Sequence, residues 1–98
     1  RGTEDKETPD KPERAMILPS IHSNGTSKDR LLLALTEASD ALDTAYEMLK
    51  KTAPNGRDYY PQGPDALGMA TAEHMDRLKR LDAVKSEIDA LTVAIDQM

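Results

Sequence analysis

The sequence has no cysteine, no tryptophan and no phenylalanine, and only three tyrosines among its 98 residues. Without cysteine there is no disulfide scaffold, thiol nucleophile, iron–sulfur cluster or cysteine-ligated zinc. Long hydrophobic runs are also missing. The longest, Leu31-Leu32-Leu33-Ala34-Leu35, falls far short of the roughly 20 apolar residues that span a bilayer. The N-terminus is charged and contains proline, which does not resemble a secretory signal. Basic residues are outnumbered, with 13 Lys and Arg against 18 Asp and Glu and a net charge of −5. That balance argues against non-specific nucleic-acid binding. At this length the chain holds one small domain at most, and the expectation is a helical, cytoplasmic protein without a membrane segment.

The order of residues divides the chain at about position 22. Residues 1–22 read as a disordered or extended arm, and residues 23–98 as a helical domain. Residues 1–14 mix four basic with five acidic side chains and offer nothing to bury, so ordering them has little to offset its entropy cost. The patch Ala15-Met16-Ile17-Leu18-Pro19-Ser20-Ile21 is apolar enough to lie along a neighbouring surface or to cover its own domain. From Lys28 to about Lys51, Leu31, Leu35, Ala38, Leu42, Ala45 and Leu49 are spaced 4, 3, 4, 3, 4. That heptad seam predicts an α-helix. Thr26 or Ser27 is its expected N-cap, and Thr26 with Asp29 approximates a capping box. Asn55-Gly56 is expected to end the helix through a positive φ. A turn-rich stretch, residues 53–64, follows, and Pro64 suits the first position of a second helix reaching close to Met98. The later seam of that helix is Leu81, Val84, Ile88, Leu91, Ile95 and Met98, preceded less regularly by Leu67, Ala70, His74, Met75 and Leu78.

The predicted fold class is therefore all-α: two long antiparallel helices forming a helical hairpin. One hairpin of this size has a thin core. Its ordering cost, roughly 1.5 kcal/mol per residue, is not offset by a single Leu/Ala seam. Each apolar stripe is also wider than one partner helix covers. Both points lead to a homo-oligomer, most simply two hairpins in a four-helix bundle, with any site open to sharing between subunits.

Two polar segments stand out. Asn24-Gly25-Thr26-Ser27-Lys28 places a glycine, two hydroxyls and a cation at a helix N-terminus, which are the ingredients of an anion or phosphate site. It lacks the glycine spacing and preceding strand of a Walker A loop, and it reads equally as an ordinary N-cap with a solvated lysine. Arg57-Asp58-Tyr59-Tyr60 in the connecting segment carries two of the three tyrosines beside an arginine. Tyr faces stack on bases and Arg grips phosphates or carboxylates. Alternatively the tyrosines plug the open end of the hairpin, while Arg57 and Asp58 tie the loop.

The two histidines, His22 and His74, show no metal-ligand spacing, and His74 near the seam reads as a histidine packed within a bundle. Arg77, Lys79 and Arg80 sit among Glu73, Asp76, Asp82 and Glu87, a pattern typical of a solvated face. No catalytic constellation, metal site or cofactor motif emerges. The chain reads as a binder rather than an enzyme.

The run Ile21-His22-Ser23-Asn24-Gly25-Thr26-Ser27, a helix, Ala53-Pro54-Asn55-Gly56-Arg57-Asp58-Tyr59-Tyr60-Pro61-Gln62-Gly63-Pro64 and a second helix resembles small helical-hairpin proteins of bacteriophages and prophages. The resemblance covers residues 18–98 and implies a fold without an activity. The layout is also similar to phage anti-defence sponges, oligomeric helical hairpins that sequester cyclic nucleotides or ADP-ribose-derived signals, although the hairpin motifs of those proteins are absent. By that analogy, Thr26, Ser27 and Lys28 would hold phosphates, Tyr59 or Tyr60 would stack on a base, and Arg57 would neutralise charge. The resulting expectation is a non-catalytic oligomeric binder of a small anionic nucleotide-type signal, acting in counter-defence in the host cytoplasm. The alternative is a protein–protein interaction module, such as a virion accessory piece or an inhibitor docking on a host protein.

Overall fold

The computed structural model describes residues 16–98. Three helices follow one another: α1 (Lys28–Lys50), a single-turn α2 (Gly56–Tyr59) and α3 (Ala66–Asp96). The polar tail and Ala15 lie outside the described residues. Within the arm, residues 16–22 have no regular secondary structure. Met16 and Pro19 are half-buried, whereas Ile17 is 95% exposed.

α1 begins at Ser27, whose Oγ accepts a hydrogen bond from the Arg30 N–H at 3.2 Å. Of the two expected caps, Ser27 takes the role. The capping box does not form, because the residue three positions beyond Ser27 is Arg30, which has no carboxylate to reach back. At the other end, Lys51 and Thr52 N–H groups turn onto the Met48 and Leu49 carbonyls, and the Thr52 hydroxyl donates to the Leu49 carbonyl at 2.7 Å. Pro54 then prevents continuation. The expected stop at Asn55-Gly56 is thus corrected. The helix ends several residues earlier, and Asn55 starts something new. Its Oδ1 accepts from the Arg57 N–H at 2.9 Å, capping α2.

α2 runs into a 3-10 turn, Tyr60–Gln62, so the connecting stretch is largely helical rather than a string of turns. The positive φ belongs to Gly63 (φ 113°, ψ 170°) and not to Gly56. This backbone region is essentially closed to residues with a Cβ, and it redirects the chain into α3. Pro64 precedes the helix instead of opening it, and Asp65 occupies the N-cap position without a side-chain capping bond.

The two long helices are antiparallel. Lys28 Nζ donates to the Met98 carbonyl at 3.2 Å at one end, Ser39 bonds Asp89 in the middle, and Tyr46 and Leu78 line one cleft near the other end. At about 1.5 Å per residue they extend for ~35 and ~47 Å. The seams differ from the periodicity by one residue at several places. On α1, Ser39 and Tyr46 are half-buried and turned into the pair, while Ala38 and Ala45 are exposed. On α3, Lys85 and Thr92 are half-buried where Val84, 47% exposed, was expected to face inward. Ala38, Ala45 and Val84 are corrected accordingly, and Leu67, Met75 and Met98 are likewise exposed. The physical reason is that 3-4 spacing recurs on two adjacent stripes of each helix. The stripe able to exchange hydrogen bonds across the pair has become the seam.

Burial is sparse. Among the described residues only His74, Leu78 and Ile95 are fully buried, with Ile95 at 1% exposure.

Candidate functional site

The two polar segments singled out from the sequence lie at opposite ends of the hairpin, ~33 Å apart along α1 by helical rise. At the first, Asn24 to Ser27 are exposed and the Gly25 N–H closes a turn onto the His22 carbonyl at 3.1 Å. The His22 ring lies so close over Gly25 that a Cβ there would come within 2.9 Å of its Nε2. Ser27 Oγ is engaged as the cap. Lys28 is turned away from the α1 N-terminus and donates to the Met98 carbonyl, just past the C-terminal end of α3. The positive end of one helix therefore sits beside the negative end of the other. A cation that would serve an anion is already holding carbonyl oxygen.

At the second segment, the short α2 sets Arg57 and Asp58 outward. Tyr59 is half-buried and lines a cleft with Ala66, Met69, Ala70 and Glu73 at the start of α3. Tyr60 is 76% exposed and borders a shallow cleft with Gly63, Pro64 and Leu67. The adjacent tyrosines thus occupy different environments because one faces α3 and the other leaves the 3-10 turn. Arg57 makes no salt bridge among the described residues.

A further feature was hidden from sequence reading. His74 is 3% exposed, and its Nδ1 is buried with no hydrogen-bond partner among the described residues. Such an orphaned polar atom costs about 1–3 kcal/mol. His74 lines a cleft of about 430 Å³ at the loop end, with Tyr46, Lys50, Thr71, Met75 and Leu78 among its walls. Lys50 Nζ lies 5.9 Å from the Tyr46 ring centroid and 3.2 Å from a Glu47 oxygen. The sequence signal was a lone His in an apolar stripe, which does not distinguish a satisfied side chain from an orphaned one.

The middle of the hairpin holds the principal polar network. Ser39 Oγ donates to Asp89 Oδ1 at 2.7 Å, Lys85 Nζ reaches Asp89 Oδ2 at 2.7 Å, and Asp43 Oδ1 stands 3.6 Å from the same ammonium. The hydrogen bond to Lys85, then that from Ser39, hold the Asp89 carboxyl below its ordinary range. The hydrogen bond to Asp89, with the Asp43 charge adding, raises Lys85 above its ordinary value despite the opposing effect of burial. On the outer face of α3 the expected solvated cluster is paired within its own helix: Arg80 to Asp76 at 2.8 Å and Arg77 to Glu73 at 3.9 Å. Exposed pairs of this kind contribute little stability. No group of three or more His, Asp or Glu side chains suited to a metal occurs among the described residues, and no helix there is long and apolar enough to cross a membrane.

Comparison with protein-family models, with curated proteins and with solved structures returned no match for this chain.

Proposed function

We propose that this chain is a non-catalytic helical-hairpin assembly module that docks with a second copy of itself, presenting its loop and arm to a further protein partner. The observation that carries this reading is the unpartnered apolar side of the hairpin. Ala34, Ala38, Ala41, Ala45 and Met48 recur at three-four spacing on α1 and are all exposed. They lie about 100° around the helix from the packed seam. Val84 and Leu91 lie seven residues apart on α3, in line with Arg77; Val84 is exposed and Leu91 half-buried. By helical geometry they fall on the same side as the alanine ridge, opposite the side to which the Ser39–Asp89–Lys85–Asp43 network lies.

A second copy fits this face better than an unrelated surface. A low alanine ridge beside the taller Val84 and Leu91 is self-complementary under a two-fold axis, since each copy's tall side chains seat on the other's low ridge. The face spans ~21 Å along α1, from Ala34 to Met48, by ~18 Å, about 380 Å², so it forms the apolar centre of an interface whose share per partner is usually ~800 Å². Burying it also supplies the core that three buried residues do not. Ile17, 95% exposed on the arm, supports the interaction-module reading beyond self-association.

Sedimentation velocity across a hundredfold concentration range tests the proposal. A dimer or tetramer that Ala41→Glu dissociates supports it. A monomer at every concentration, or an oligomer indifferent to Ala41→Glu, refutes it.

A second reading rests on Arg57 and Tyr60, exposed in one short loop, and on the exposed Asn24–Ser27 turn. An oligomer could bring these two ends together, through subunit contact alone, around a small anionic nucleotide-type ligand such as a cyclic nucleotide or an ADP-ribose derivative. The loop-motif resemblance adds a phage counter-defence setting in a host cytoplasm. Thermal shift against a panel of such compounds tests it, because a ligand bound only by the native state raises Tm by mass action. Arg57→Ala and Lys28→Ala should abolish that shift. No shift with any compound refutes this reading and leaves the first intact.

A further inference from the structure

The chain has two asparagines, Asn24 and Asn55, and glycine follows each of them. An asparagine before glycine holds an electrophile and a nucleophile side by side. Its carboxamide carbon can close on the next backbone nitrogen, an intramolecular reaction favoured by proximity, and glycine has no Cβ to block the approach. Whether the ring closes depends on what the fold holds in place, and the fold treats the two pairs differently.

Asn55 is engaged through both its side chain and its backbone. Its Oδ1 accepts from the Arg57 N–H at 2.9 Å, and its carbonyl accepts from the Asp58 N–H at 2.9 Å. Its backbone, φ −108° and ψ 133°, is that of the α2 N-cap. Closure would turn the side chain off Arg57 and swing the carbonyl off Asp58, so α2 would have to open first. Asn24 is exposed, and its side chain makes no hydrogen bond among the described residues. The backbone bond that closure disturbs there is the turn from the Gly25 N–H to the His22 carbonyl, 3.1 Å. The His22 imidazole covers the same glycine, with Nε2 2.9 Å from the point a Cβ would occupy. That point is two covalent bonds from the Gly25 nitrogen. An imidazole takes and returns a proton near neutral pH.

We infer that Asn24 is a self-modifying site, its carboxamide closing on the Gly25 nitrogen with His22 carrying the proton, while the α2 cap holds Asn55 unreacted. The Gly25 nitrogen bonds to Asn24 Cγ and gives up its proton to His22. The Asn24 amide nitrogen takes that proton back and departs as ammonia, leaving a five-membered imide. Water then opens the imide at either carbonyl, giving aspartate or an isoaspartyl link whose backbone runs through Cβ. In sum, one amide and one water become one carboxylic acid and one ammonia. The turn joins residues 16–22 to α1, so the isoaspartyl form adds a backbone carbon where the arm bearing Ile17 leaves the hairpin. Either product places a carboxylate near the positive end of α1. The inference is independent of self-association, because the turn lies outside the alanine ridge.

The test incubates the full chain at neutral pH in dilute buffer, with and without urea. Mass spectrometry then follows the acid-for-amide mass gain at Asn24 and Asn55, which fall in different tryptic peptides. Asn24 should convert about tenfold faster than Asn55 in the native chain, the factor expected from a cap that must break first. In urea the two rates should converge. His22→Phe, at an exposed position, keeps a ring over Gly25 without a nitrogen and should slow Asn24 severalfold. Equal native rates, the same rate ratio in urea as in the native chain, or an Asn24 rate that His22→Phe leaves unchanged or raises, overturns it.

Discussion

The Ser39 hydroxyl of α1 donates to the Asp89 carboxylate of α3 at 2.7 Å, joining residues 50 positions apart in sequence at the midpoint of the hairpin. Lys85 holds the other carboxylate oxygen. A half-buried polar pair can make a helix pair choose one register, because sliding either helix by a turn would separate donor from acceptor.

Removing both members should therefore cost less than the two single removals added together. Asp89→Ala leaves Ser39 and Lys85 without their shared acceptor, and the Ser39→Ala/Asp89→Ala double variant should lose less than the two single losses added. Urea denaturation of the four-member cycle measures this coupling, expected at about 0.5–1.5 kcal/mol, the usual range for a part-exposed hydrogen bond. Strict additivity would remove the network from the account of register.

Stability should depend on pH through the same groups. Asp89 has its folded-state pKa lowered from 3.8, so its contribution is present above that unfolded value and is lost as pH falls through the lower folded value. Lys85 is raised from 10.5, so its contribution is complete below 10.5 and disappears as pH rises through the higher folded value. Tm measured from pH 2 to 6 should fall on the acid side, and Asp89→Asn should flatten that fall. An unchanged acid limb in Asp89→Asn would assign acid sensitivity elsewhere.

Two glycines should respond in opposite directions to alanine. Gly63 has φ 113° and ψ 170°, and Gly63→Ala should destabilise by about 1–3 kcal/mol. Gly68 lies within α3 with nothing within 4 Å of an added Cβ, and Gly68→Ala should stabilise by about 0.5–1 kcal/mol. Thermal melts of both variants decide the matter. Destabilisation by Gly68→Ala would mean that its position packs against something in the assembled state.

The end of the hairpin away from the loop depends on one side chain. Ile95 is 1% exposed, whereas Val93, two residues earlier, is 55% exposed. Ile95→Ala should cost about 2–5 kcal/mol, and Val93→Ala within about 0.5 kcal/mol. Because so few side chains are buried, Ile95→Ala should leave a large unfolded fraction by circular dichroism at room temperature. Similar melting of both variants would contradict the burial described.

The recurrence of Leu31, Leu35, Leu42 and Leu49 at intervals of four and seven determined that α1 is a helix. The run from Leu78 through Leu81 and Ile88 to Ile95 did the same for α3. Their lengths and the short connection between them required an antiparallel pair, since periodicity, chain reach and proline positions are local properties. Which of two adjacent stripes turned inward was decided only by the tertiary structure. Alanine and valine satisfy an apolar pattern on either stripe, whereas Ser39 meets Asp89 and Lys85 meets Asp43 across the pair, partners that no local pattern contains. The same holds for the candidate sites. Residue types marked Asn24–Lys28 and Arg57–Tyr60 as chemically capable, but the antiparallel fold set them at opposite ends and engaged Lys28 with the α3 terminus. His74 became notable only through what the folded chain fails to place beside its Nδ1, because a missing partner is a property of three-dimensional packing and has no trace in residue order.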